Sequence, residues 1–169
     1  MLENLTYFLN GASLSFFAMG AFHMAIYARQ SKSRPHYLFT ICLIWMALIE
    51  LKEFFLSHDA AYNYEILGPG FTFPDLFTLA PLSLFFFELV MPGRITARYS
   101  LKLLSPFVLL GGAYWLGTAF EPRTVYASLP ELLKDLPSFL PTVLLLYTLY
   151  TVGYCLFALT RIVLYSIRY

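Results

Sequence analysis

Five ionisable side chains, Glu50, Lys52, Glu53, Asp75 and Glu88, interrupt otherwise apolar runs of this sequence. Carboxylates gathered where water is scarce can hold a cation or a proton, or accept hydrogen bonds from a polar ligand. Glu50 and Glu53 are three apart, so on a helix they share one face, whereas Lys52 points away by roughly 100° per residue from its neighbours. Asp75 opens the next apolar run, and His58 and Asp59 stand just beyond Glu53. The chemical reading is a ligand-binding polar cluster made of Glu50, Lys52, Glu53, Asp75 and His58. The structural alternative is that Lys52 pairs with one carboxylate while the others rest in hydrated headgroup territory.

Glu88 differs, because it closes its run beside Pro92 and Arg94. It is expected to form a structural ion pair, with Arg94 adjacent in sequence and Arg29, Arg34 or Lys102 as further partners. His23 is a lone histidine in an apolar run, where a hydrogen bond to a neighbouring helix outweighs a proton-carrying role. Cys42 and Cys155 each sit among apolar residues and read as small hydrophobes. The histidines at 23, 36 and 58 have no metal-binding spacing, and no HExxH or CxxC occurs. Neither a GxSxG nucleophile, a Walker A loop nor a dinucleotide fingerprint is present. No metal, no cofactor and no catalytic residue are expected, so an enzyme is the least favoured class.

The elements that must position these groups follow from composition. Hydrophobic residues make up 59% and charged residues 12% of the chain, against roughly 25% charged in a soluble domain. Mean hydropathy is +0.67. A soluble core of 169 residues could not hide this much Phe, Leu and Tyr. A span needs about 20 apolar residues to cross about 30 Å of hydrocarbon. Five runs qualify: 5–28, 37–57, 71–91, 101–120 and 138–165. The fold class expected is all-α, a polytopic transmembrane bundle of about five helices forming a single domain over 1–169. Pro74, Pro81 and Pro141 predict kinks in the third and fifth helices. Residues 129–136 (LPELLKDL) predict a short amphipathic helix at the outer surface.

Direction follows from charge. Arg29, Lys32, Arg34, Arg94, Arg98, Lys102, Arg161 and Arg168, eight of the eleven basic residues, fall in the first and third connections, the C-terminal segment or their membrane edges. None of the ten acidic residues lies in those connecting segments. The positive-inside bias then places the N-terminus outside and the C-terminus in the cytoplasm. Met1 to Asn4 carry no Lys or Arg and the positive charges follow the run, so a retained anchor is expected and not a cleaved signal. Tyr7, Tyr37, Tyr62, Tyr64, Tyr99, Trp115, Tyr126 and Tyr165 lie near span ends and mark depth at the headgroups. Gly111, Gly112 and Gly117 suit close helix packing.

The stretch from Asp75 to Leu109 carries a recognisable arrangement: Pro81 and Leu82, the aromatics Phe85 to Phe87, Glu88, Pro92, a short basic loop, then Pro106 and Phe107. With Gly11 to Leu14 and the Leu51-Lys52-Glu53 end of the second run, it resembles the N-terminal membrane region of Bacteroidota AraC-type helix-turn-helix regulators or sensor histidine kinases. The resemblance covers most of the chain as hydropathy plus scattered residues. It implies a bacterial inner-membrane sensing or anchoring module whose output is made elsewhere. The run from Arg161 to Arg168 has no Gly or Pro stop, so the fifth helix is expected to lead toward a cytoplasmic output domain or a signalling partner.

The function expected is signal input from an outside or in-membrane stimulus. The alternative is a small proton or cation transporter or channel using Glu50, Asp75 and Glu88 as a graded path. The partners expected are the lipid bilayer and the output domain or partner, with no direct nucleic-acid contact by these residues and a homodimer left open.

Overall fold

Long apolar runs leave the backbone to satisfy its own polar groups, and the chain does this as helix. The computed structural model describes residues 2–56, 69–121, 126 and 128–168; it is 87% helical, with no strand among the described residues. His58, Asp59, Tyr62 and Tyr64 lie outside the described residues.

Helices α1 (Leu2–Ser31) and α2 (Arg34–Leu56) fold back on each other through Lys32 and Ser33. Lys32 adopts a left-handed φ of 51°, and its N–H donates to the Ala28 carbonyl at 2.9 Å, which closes the last turn of α1. Pro35 sits in the first turn of α2, where its missing N–H is not needed. Along this hairpin Gly11 lies against Phe54 and Gly20 against Leu43, so the two helices run antiparallel.

The third apolar run is not one kinked helix over 71–91 but two, α3 (Pro69–Phe77) and α4 (Leu79–Val90), meeting at Thr78. Two local causes meet there. Pro81 has no N–H to offer the Phe77 carbonyl, and it is tolerated only because it falls in the first turn of a restarted helix. The Thr78 N–H turns to the Asp75 carbonyl at 3.1 Å, which releases the Pro74 carbonyl from its usual i+4 donor.

Helix α5 (Ala97–Gly117) is capped by Thr96, whose Oγ1 accepts the Tyr99 N–H at 3.2 Å. Pro106 lies inside it, and the Lys102 carbonyl left without a backbone donor receives the Ser105 hydroxyl at 3.2 Å. Helix α6 (Leu129–Lys134) buries Leu132 and leaves Leu129 and Leu133 exposed. Helix α7 (Phe139–Arg168) is continuous, with Pro141 confined to its first turn. Its opening donors are met by Glu121, which accepts from Phe139 N at 3.2 Å and Leu140 N at 3.0 Å; Pro141 has none to satisfy.

In space α1 packs on α2, α2 on α4, α4 on α7 and α7 on α5, with α3 and α6 also against α7. Contacts of Phe73 with Tyr147 and Phe87 with Phe157 make α3 and α4 run parallel to α7. Those of Phe107 with Tyr150 and Gly117 with Phe139 make α5 antiparallel to it. The core is aromatic, built on Phe73, Phe107, Tyr114, Tyr147 and Tyr154 with Leu140 and Leu144. At Gly117 a Cβ would lie 2.5 Å from the Phe139 ring and 2.8 Å from Leu140, so α5 and α7 touch at the backbone there. Around this core Phe16, Phe22, Leu109, Leu116 and Leu159 face outward, each more than half exposed. Three stretches, Leu5–Ser31, Phe73–Val90 and Phe139–Ile167, are long and apolar enough to cross a membrane. Together with the apolar exterior they suggest a membrane protein.

Candidate functional site

The break between α3 and α4 has a consequence for the carbonyls around it. The released Pro74 carbonyl receives the Trp45 indole N–H of α2 at 3.1 Å, and the Thr78 hydroxyl approaches it at 3.5 Å. One residue earlier, the Phe73 carbonyl receives the buried Tyr147 hydroxyl of α7 at 2.9 Å. The carbonyl freed by the break is therefore held by α2, and the Phe73 carbonyl beside it ties α3 to α7.

Beside them lies a cleft of about 580 Å³, within the roughly 300–1,000 Å³ usual for small-molecule sites. Its walls are Trp45 and Lys52 of α2, Phe73, Pro74 and Phe77 of α3, Phe107, Val108, Gly111 and Trp115 of α5, and Tyr147 of α7. Phe77 meets Trp45 edge-on at 5.0 Å and Phe107 at 5.6 Å. Gly111 gives the cleft width, since only the Phe73 ring, at 3.6 Å, would meet a Cβ there.

At one end of this apolar cleft stands Lys52. Its Nζ lies 2.7 Å from Asp75 Oδ2 and 3.0 Å from Glu53 Oε1. The ammonium bridges α2 to α3 and also takes the carboxylate next to it in sequence, although the two Cβ atoms diverge; the four-carbon stem spans the difference. Glu50 is within electrostatic range of both Glu53 and Asp75. The structure thus gathers Glu50, Lys52, Glu53 and Asp75 into one cluster in which two carboxylates hold one ammonium and a third, Glu50, stands near both. His58, the fifth residue of the sequence cluster, lies outside the described residues.

Glu88 and Arg94 form no ion pair. Glu88 is 3% exposed, and its Oε1 accepts the Gly93 backbone N–H at 3.0 Å, made available by the turn in which Gly93 has φ of 75°. Arg94 instead lies over the Tyr165 ring of α7, 5.7 Å from its centroid. Glu88 also borders a second cavity with Arg34, Tyr37 and Thr96, between the start of α2 and the start of α5. His23 is exposed on α1, edge-on to Phe22 at 6.1 Å, and joins none of these groups. Cys42 and Cys155 are free thiols, and no cluster of metal-binding side chains occurs among the described residues.

The aromatic walls are the part that sequence reasoning missed. Trp115 reads as a depth marker in sequence, yet it lines the cleft, and Trp45 stands in mid-run with no motif around it. A usable signal existed: an indole N–H in mid-span must find an acceptor, and a proline-broken helix nearby supplies free carbonyls. No family model matches this chain, and no curated protein or solved structure matches it either.

Proposed function

We propose that this chain is a membrane-embedded sensor module. It crosses the bilayer five times, through α1, α2, the α3 and α4 pair, α5 and α7, with the Lys52 end outside and the Arg94 end in the cytoplasm. The distribution of Arg and Lys supports this direction, as do the apolar exteriors of the helices. In this reading the cleft takes an amphiphile: an apolar body lies between Trp45, Phe77 and Trp115, and an amine head replaces or joins Lys52 among the carboxylates. Three acidic groups against one ammonium favour a cationic head over an anionic one.

The observation that carries the proposal is that one cleft is walled by both the broken helix and α7, with the Tyr147 hydroxyl bonded to the Phe73 carbonyl. A body filling the cleft presses on α3 where its backbone is held by side chains and not by its own helix. Displacement there is passed to α7, which runs on for about six turns to the Arg94 end. Such coupling works if the ligand binds two packings with different affinity. The output is then made by a cytoplasmic domain or a signalling partner, as the family resemblance implies.

The transport reading is less well supported. Between Asp75 and Glu88 the Thr78 and Ser83 hydroxyls donate to the Pro74 and Ala80 carbonyls, and the stretch between them is packed with Phe77, Ala80 and Leu84. That leaves few polar stations for an ion.

The chain's two tryptophans, Trp45 and Trp115, both line the cleft, so intrinsic fluorescence reports its occupancy. A terminally brominated long-chain alkyl amine added to the protein in phosphatidylcholine liposomes should quench both saturably, and the matching alcohol should do so more weakly. Spin labels at Phe55 of α2 and Leu164 of α7 should change separation over the same concentration range. Quenching that is linear and equal for amine and alcohol, or saturable quenching with no change in separation, overturns the proposal. A proton flux measured with an enclosed pH-sensitive dye would move the assignment to transport.

A further inference from the structure

At the opposite end of the bundle from the Lys52 cluster, two guanidinium groups converge without a carboxylate. Arg94, in the turn after α4, and Arg161, on α7, both line a cavity of about 270 Å³. Each is positioned by an aromatic ring of α7: Arg94 over Tyr165 at 5.7 Å, and Arg161 over Phe157 at 5.4 Å. Tyr165 and Arg161 are four apart, so they share a face of that helix. Neither guanidinium has an ion pair among the described residues. The nearest acidic residue in sequence, Glu88, is buried, bonded to the Gly93 N–H, and borders the neighbouring cavity with Arg34. Tyr99, at the start of α5, completes the polar rim, while Phe87, Met91 and Ile95 form an apolar floor.

We propose that this cavity binds a phosphate group, with Arg94 and Arg161 clasping its oxygens. Two guanidinium forks fit a phosphate with several charge-assisted hydrogen bonds, and held over rings they keep their planes without a carboxylate partner. The apolar floor favours a phosphate carried by a phospholipid over a free ion, because it offers cover to the glycerol and the first methylenes of an acyl chain. Arg98 and Lys102 belong to the same basic end of the chain and add long-range attraction without lining this cavity. The lipid half rests on the membrane reading and is independent of the sensor reading, whose cleft lies at the other end.

The test uses the purified chain in nonionic detergent, with thermal unfolding followed against added short-chain phosphatidylglycerol, short-chain phosphatidylcholine and inorganic phosphate. Phosphatidylglycerol should stabilise the chain saturably, and phosphatidylcholine should do so weakly. Arg94→Gln and Arg161→Gln should each raise the half-saturating concentration about tenfold, the size of one lost charge-assisted contact. Arg98→Gln should change it less than about twofold. Both arginines are exposed, so the variants should unfold at the wild-type temperature without lipid, which separates lost binding from lost folding. Equal protection by inorganic phosphate assigns the anion to solution and overturns the lipid half alone. Protection that survives in the double variant, or that the two lipids give equally, overturns the site.

Discussion

Replacing Lys52 with Met keeps the side-chain length and removes the charge that holds Asp75 and Glu53 at 2.7 and 3.0 Å. Two limits frame the cost. An exposed ion pair contributes about 0–1 kcal/mol, whereas removing one member of a buried pair costs about 3–5 kcal/mol, because the other charge is left without compensation. Lys52 and Asp75 side chains are 18% and 16% exposed and Glu53 is 32% exposed, which places the cluster between those limits. Lys52→Met is therefore expected to lose about 2–3 kcal/mol of stability. Asp75→Asn alone leaves Lys52 with Glu53 and should lose about 1–2 kcal/mol. The double variant should lose less than the sum of the two, by about 1–2 kcal/mol, because with an amide at position 75 no carboxylate is stranded there once Lys52 is gone. Unfolding of the purified chain in mixed micelles of rising sodium dodecyl sulfate, followed by circular dichroism, gives all four corners of the cycle. Additivity within about 0.5 kcal/mol would refute the reasoning, since it would mean that the ammonium and the Asp75 carboxylate do not depend on each other.

Three further outcomes can be read in the same unfolding assay. Gly117→Leu places a side chain where Phe139 and Leu140 already stand and should cost at least about 1–3 kcal/mol, whereas Gly112→Ala, which meets open space inside α5, should not destabilise and should gain up to about 1 kcal/mol. Tyr147→Phe removes the hydroxyl that bonds the Phe73 carbonyl and should cost about 0.5–1.5 kcal/mol; in the liposome assay it should also uncouple cleft occupancy from the separation of Phe55 and Leu164. Glu121→Ala exposes the Phe139 and Leu140 N–H groups at the start of α7 and should cost about 0.5–2 kcal/mol, with Glu121→Gln recovering part of it.

Much of this molecule is written locally. The all-helical character follows from long apolar runs that must satisfy their own backbone, and the interruption of the third run follows in part from Pro81, which has no N–H to offer the Phe77 carbonyl. The concentration of Glu50, Glu53 and Asp75 toward one end was legible too, because helical rise and spacing fix depth and face. Tertiary structure alone decided the rest. The direction in which Lys52 extends depends on where α3 places Asp75, and no spacing along α2 contains that. Glu88 reads as an ion-pair partner beside Arg94, but the turn at Gly93 presents a closer backbone donor, and Arg94 is drawn to a ring on α7, far away in sequence. The cleft itself exists because α2 and α5 stand apart while α3 and α7 hold each other through Tyr147. Its walls come from four helices, and periodicity describes one helix at a time; which faces meet is set by the mutual fit of side chains that the sequence does not order in space.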